Sequence, residues 1–484
     1  QSIRSFQCAL QVRTREAFPT NWATTQNNLG IAYYFRLKGK RAENLEVAIA
    51  CYKSALQVRT RQEMPVQWAE TLNNLANAYS ERIKGDRAEN MEQALAALHS
   101  ILQVYTPGDF PQDWAMTHIN LGETYRDRVM GDRMENLNLA IAAYESALRV
   151  YTFENFPVQW AIIQNNLGIA YYSQVPDPSA ESLELAIASF EKALQVRTKE
   201  DLPQQWAETQ NNLGNAYSDR TEGNRSQNLA KAIIAYRAAL QVHTHKSFPI
   251  EWAKTQNNLA LAYRDSQKLV DAIACFQAAL QIYTPTAFPF ECLIAGRNLG
   301  KSAYAISDWS QSLAGFELAI YAAEQSRAWA STNDRKQQIL SAAIDVYNGA
   351  VEACLASGDT KRALEYVERS KARNLVDLLA NRDLIPNKNV PSSVVKQLKM
   401  LRREIRTEQR QLDIADRTRR WNRSFDIETS IDPDGWFADR TRLNQLSRRL
   451  ESLLAQEIRP YDSVFMPHPI YCTNSRCSVS GVAF

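Results

Sequence analysis

A phrase built on tryptophan and asparagine recurs along this chain at a fixed interval, and that interval limits the fold more than any other feature. Trp22, Trp68, Trp114, Trp160, Trp206 and Trp252 each lie 46 residues from the next, and each opens WA, four further residues, then NLG or NLA. A constant period of this size marks a solenoid, in which each unit packs on its neighbours. Length, 484 residues here, then says little about domain count, because a stack has no upper core size.

The spacing inside the unit narrows the class. Counting Ala23 as position 1, Leu29, Gly30 and Tyr33 fall at 7, 8 and 11; past a six-residue insertion, Ala48, Tyr52 and Ala55 fall at 20, 24 and 27. These are the small and large packing positions of a tetratricopeptide repeat. The usual 34-residue unit gains about six residues inside the hairpin, in the RxxGxRxxN loop, and about six between hairpins. The sixth loop is short, YRDSQKLVDA, and the distance from Trp252 to its equivalent Cys292 drops to 40. The expected fold is all-α: a tetratricopeptide-repeat α-solenoid, a right-handed superhelix of helical hairpins, followed by a helical pair.

Residues 1–14 match a second helix without its first, so the chain is expected to start in mid-repeat. Residues 15–325 hold seven repeats, whose first helices are expected near Pro19, Pro65, Pro111, Pro157, Pro203, Pro249 and Pro289, since proline fits a first helical turn. The glycines Gly39, Gly85, Gly131 and Gly223 suit left-handed helix stops, and Asn44, Asn90, Asn136 and Asn228 the next helix start. In the fourth repeat Ser182 takes the asparagine position. Residues 326–380 read as a diverged terminal hairpin turning at Gly358 and Asp359, 381–460 as a basic linker and helical pair, and 461–484 as an unstructured tail. Each Trp is expected to be the largest packing element of its repeat. Burying about 150–250 Å² of ring gives at most about 4–6 kcal/mol.

Composition excludes several partners. The net charge is +3 with 23% charged residues, so the chain lacks the polyelectrolyte character of a nucleic-acid or membrane-surface binder. The basic helix from about Val394 to Arg423 has a single aromatic, Trp421, and reads as a solvated face rather than a nucleic-acid module. No apolar run is long enough to span a membrane. Seven scattered cysteines suit a reducing compartment, and cytoplasmic placement is expected.

Catalytic chemistry finds no anchor. The five histidines stand apart from other ligands or nucleophiles; His468 with Cys472 and Cys477 is too loosely spaced for a metal site. No glycine-rich phosphate loop, HExxH or nucleophile elbow is present. No enzyme activity, cofactor or metal is expected.

What the repeat offers is a surface. In such a stack the first helices line the concave face, with positions 2, 5, 9, 12 and 13 pointing inward. Position 5 holds Asn27, Asn73, Asn165, Asn211, Asn257 and Arg297; position 12 holds Tyr34, Arg126, Tyr172 and Arg264; position 9 adds Asn77 and Asn215. A row of amides, each donor and acceptor, could hydrogen-bond the backbone of an extended peptide, and the arginines would favour carboxylates. A merely solvated groove is the alternative reading of position 5. Position 6, always Asn, reads as structural. The Tyr, Ser, Arg order at position 12 repeats after 138 residues. It suggests a duplicated three-repeat block serving two copies of a short sequence or one repetitive ligand.

The phrase AENLExAIAxYxxALQVRTxxxFPxQWAxTQNNLGNAY, then ALEYVERSKARNLVDLLA, then LNQLSRRLESLLAQEIRPYD resembles the long-repeat tetratricopeptide proteins that carry a C-terminal caspase-like CHAT domain, frequent in cyanobacteria. The likeness covers about residues 1–465. It implies that the repeats sense and bind partners for a His and Cys peptidase domain. No residue here matches that pair, and the CHAT domain is expected to lie outside this sequence. Two functions follow as expectations: a scaffold binding a protein or peptide in its groove, self-association included, or the regulatory region of such a peptidase.

Overall fold

The computed structural model describes residues 2–174, 180–329, 333–381, 391–401, 403–405 and 407, together with 446, 449, 452 and 453. Beyond 407 only those last four residues of the expected helical pair and basic surface are described, and the tail with His468, Cys472 and Cys477 lies outside the described residues. So does the loop 175–179.

The chain is a tetratricopeptide α-solenoid. A lone helix α1 (Ser2–Val12) precedes the hairpins α2 (Pro19–Tyr34) and α3 (Arg41–Ala55), α4 (Pro65–Ser80) and α5 (Arg87–Ile101), and α6 (Pro111–Arg126) and α7 (Arg133–Leu148). Then come α8 (Pro157–Tyr172) with α9 (Ala180–Ala193), α10 (Pro203–Asp219) with α11 (Arg225–Ala239), and α12 (Pro249–Asp265) with α13 (Leu269–Leu280). The longer α14 (Pro289–Ala305) and α15 (Trp309–Trp329), then α16 (Asn333–Ala356) and α17 (Thr360–Asn381), complete the array. Each helix packs on the next in sequence, and the first helices also touch one another along the stack. They form the inner layer.

Helix starts follow the proline at N1 in every first helix. The turn before it rests on a threonine. Thr60, Thr106 and Thr198 each accept, through Oγ1, the backbone N–H three residues on at 3.1 to 3.2 Å. This is the local hydrogen bonding by which Ser and Thr stabilise turns.

Packing within each hairpin is a small residue under a large one. An added Cβ on Gly122 would stand 2.4 Å from Cε1 of Tyr144, and on Gly168, 2.5 Å from Cε1 of Phe190. These rings, like Tyr52, Tyr236, Phe276 and Phe316, are at most 2% exposed. They, and not the tryptophans, are the main packing elements. All six repeat tryptophans are half-buried; each sits on the first turn of its helix, at the end of the hairpin. The 4–6 kcal/mol ceiling must shrink accordingly.

The added hairpin loop is a charged clasp. Arg82 makes a bidentate pair with Glu46 of the preceding repeat at 2.7 and 2.8 Å. Arg128 does the same to Glu92 at 2.7 and 2.9 Å, and Arg220 to Glu184 at 2.5 and 2.8 Å. Gly85, at φ +83°, turns the chain where a side chain would be strained. Arg87 then donates to the Ser80 carbonyl at the end of α4, and Asn90 Nδ2 donates to the Lys84 carbonyl at 2.9 Å. The fourth repeat keeps the clasp without charge. Gln174 Nε2 donates to Asn138 Oδ1 at 3.2 Å, and Ser182 Oγ donates to Gln174 Oε1 at 2.7 Å.

Candidate functional site: a polar cleft in the inner layer

The middle of the inner layer opens into a cleft of about 380 Å³ between α4, α6, α8 and α10. Of the residues proposed from sequence, it brings together Asn77, Arg126 and Asn165; the other nine lie elsewhere along the layer. Four acids also line it, Glu81, Glu123, Asp127 and Glu208, with Arg87 and Arg197.

The asparagine row is a ladder between repeats before it is anything else. Asn74 Nδ2 donates to Asn27 Oδ1 at 3.2 Å, Asn120 to Asn73 at 2.8 Å, and Asn258 to Asn211 at 3.4 Å. Asn165 Oδ1 accepts from Thr209 at 3.1 Å, and Asn215 Oδ1 accepts from Tyr236 and from Asn258 at 2.8 and 3.0 Å. Asn257 keeps a buried Oδ1 with no partner among the described residues. The expectation that each amide offers both donor and acceptor is therefore corrected. At Asn73, Asn165 and Asn211 the oxygen is taken by the stack, which leaves the nitrogen side; at Asn27 the oxygen is taken too, and Nδ2 donates to Asn28 Oδ1 at 3.5 Å.

The arginines are corrected in the same sense. Arg126 Nε donates to Asp127 at 3.1 Å, Arg264 pairs with Asp265 at 2.9 Å and donates to Asn298 at 3.2 Å, and Arg297 lies 3.6 Å from Asp345. Each positive charge already has a carboxylate of the chain itself, so an unmet preference for acids does not arise. Tyr34 donates to Glu81 and Tyr172 to Asp219, the latter at 2.6 Å. Burial and these acids push both phenols up, so they stay donors.

Three contacts recur after 138 residues: Tyr34 to Glu81 and Tyr172 to Asp219, Arg126 with Asp127 and Arg264 with Asp265, Asn120 to Asn73 and Asn258 to Asn211. The two blocks diverge at position 9, where Glu123 corresponds to Leu261.

Inside the cleft, some polar groups are buried yet unspent. Arg126 is 5% exposed, and its two terminal nitrogens make no hydrogen bond among the described residues while remaining open to the cleft. Asn165 is 3% exposed, and its Nδ2 is likewise open. Burial disfavours the Arg126 charge, but Asp127, Tyr144 and Glu123 outweigh it, so the guanidinium stays protonated. Glu123 accepts from Asn166 at 3.1 Å and has no ion-pair partner among the described residues. Burial raises its carboxyl above the usual range; Arg126 and Asn166 oppose this, Asp127 and Glu81 add to it.

Sequence reasoning missed Glu123 and the acids at position 13, Glu81 and Asp127. The signal was present: position 13 is Glu or Asp in four of seven repeats, and Glu123 is the single acid in the position 9 row.

Glu123 gives a pH-dependent expectation. A carboxyl held above its unfolded value binds its proton more tightly when folded, so stability is lost as pH rises from the unfolded value through the folded one. Glu123→Gln, which cannot ionise, should therefore raise the melting temperature at pH 7. The gain should shrink as the pH falls into the ordinary carboxyl range, where Glu123 takes up its proton in the folded and the unfolded chain alike. A constant difference across that range would refute the assignment.

The histidines in the described residues lie apart. His243 occupies the place of Arg59 and Arg197 against the neighbouring threonine, and burial pulls it down to about 4. No group of three potential metal ligands occurs among the described residues, and no described helix is long and apolar enough to cross a membrane.

A family profile described as "Tetratricopeptide repeat" matches residues 68–102 and 252–284. A comparison with curated protein sequences found no match. Among solved structures, the apo form of RapI is 13% identical, covers 90% of this chain and 99% of its own, and has a TM-score of 0.49. The TPR2AB domain of yeast Sti1 in complex with pHSP90 is 16% identical, with 69% and 98% covered and a TM-score of 0.23. The human IFIT1 dimer with PPP-AAAA is 14% identical, with 76% and 76% covered and a TM-score of 0.41. None reaches a TM-score of 0.5, and the fold assignment rests on the helix pattern and the profile match.

Proposed function

We propose that this chain is a protein-interaction scaffold that holds an extended segment of a partner protein in the cleft between α4, α6, α8 and α10. The observation that supports it most is the pair of donor groups that face the cleft with no hydrogen bond among the described residues, the terminal nitrogens of Arg126 and Nδ2 of Asn165. Peptide carbonyls entering the cleft would supply acceptors to both at once. Asn77, half-buried in the same wall with no hydrogen bond from its side chain among the described residues, adds an amide with both functions intact.

The test is selection of dodecamer peptides from a displayed random library on the immobilised full chain, then calorimetry with synthetic, end-blocked hits. Asn77→Ala and Asn165→Ala should each weaken binding about five- to twentyfold, one lost hydrogen bond apiece. Lys246→Ala, on an exposed turn, should leave it unchanged. Hits indifferent to both asparagines, or no hits at all, would sink the reading.

A second reading is favoured by ALEYVERSKARNLVDLLA, which lies on α17. That phrase resembles the segment following the repeats in CHAT-type caspase-like peptidases, and the groove would then sense a partner on behalf of a peptidase domain.

A further inference from the structure

The cleft is built unevenly in charge. Arg126 is matched by Asp127, Glu81 by Arg41, and Arg197 is turned onto Thr209 Oγ1 at 2.9 Å. Glu123 has only the Asn166 amide, on one of its two oxygens. The second oxygen makes no hydrogen bond among the described residues and is open to the cleft. Arg126 acts on it from the same helix but is paired with Asp127, so Glu123 is a carboxylate among low-dielectric walls with no ion pair of its own, held against its desolvation cost. A cation arriving from outside would relieve that cost.

We propose that Glu123 is the specificity-determining residue of the cleft and receives a positively charged side chain, Lys or Arg, of the bound segment. This rests on the groove reading above and adds the chemistry of the ligand. The carbonyls flanking that side chain fall to the Arg126 terminal nitrogens and Asn165 Nδ2, so main chain and cation are read within one wall. Acidic segments are disfavoured, because four carboxylates and three arginines line the cleft and the arginines are already engaged. The site is single: the equivalent position in the second three-repeat block is Leu261. The duplication therefore supplies two similar backbone-binding stretches and one cation pocket.

The test uses the same library-selected, end-blocked peptides. Hits should carry Lys or Arg at one fixed position. Replacing that residue by norleucine should weaken binding to the wild-type chain about tenfold or more, as loss of a desolvated charge pair does, and change binding to Glu123→Gln less than about twofold. The Gln variant folds at least as well, so lost folding does not confuse the result; circular dichroism checks it. Hits enriched in Asp or Glu, or an equal norleucine penalty in both proteins, overturn the cation while leaving the groove intact if Asn165→Ala still weakens binding. Failure of every peptide to bind overturns both.

Discussion

Gly122→Ala and Tyr144→Leu should each destabilise the third repeat by about 2 kcal/mol, and the double variant should cost less than either alone. The first places a methyl group 2.4 Å from a ring that has nowhere to go. The second removes ring atoms from a fully buried site and leaves a cavity. Together they recreate a pair the chain already uses. In the second repeat Ala76 occupies the glycine position and Leu98, 1% exposed, the ring position. A favourable coupling of at least about 2 kcal/mol is therefore expected in a double-mutant cycle. Tyr144 loses no hydrogen bond in the exchange, because its hydroxyl has none among the described residues. Additive losses would show that the stack does not treat the two positions as one unit.

Arg126→Met and Arg264→Met should differ severalfold in cost although they remove equivalent residues of the two three-repeat blocks. Arg126 and Asp127 are each only 6% exposed in their side chains, whereas Arg264 and Asp265 are 36% and 33% exposed. Removing one partner of a buried pair costs up to about 3 kcal/mol, moderated here by Arg87 and Arg133, which also act on Asp127, and breaking a pair that water already screens costs under about 1. A long repeat array need not unfold as one unit, so the reading is hydrogen exchange. Protection should fall in α6 and α8 for the first variant and scarcely change in α12 and α14 for the second. Equal losses would contradict the burial difference.

Much of this was legible in the residues. Prolines 46 residues apart place the first helices, and the Gly or Ala at position 8 pairs with a ring or leucine at position 24 in the sequence as in the fold. What was not legible depends on distance between repeats. Asn27 and Asn74 are 47 residues apart, and only stacking shows that one amide spends the other's oxygen. Arg126 reads as a ligand for acids until Asp127 is seen folded back onto it. The tryptophans misled because size was taken for burial; rings at the hairpin ends stay half-exposed. Glu123 was passed over because a lone acid in a row of amides and aliphatics reads as solvated surface, and its lack of an ion pair among the described residues is a fact of three dimensions.

The charged clasp has a consequence for how such a chain changes over generations. Each rung joins a residue to one 36 positions earlier, Arg82 to Glu46, Arg128 to Glu92, Arg220 to Glu184, a span shorter than one 46-residue unit. Excising or copying a whole unit of coding sequence therefore rejoins ends that already fit, with each clasp position still facing its counterpart. A cut of any other length breaks the match at once. The uncharged rung, Gln174 on Asn138, keeps the same 36-residue span with amides on both sides, so the unit's length, more than the charge, carries the frame of inheritance.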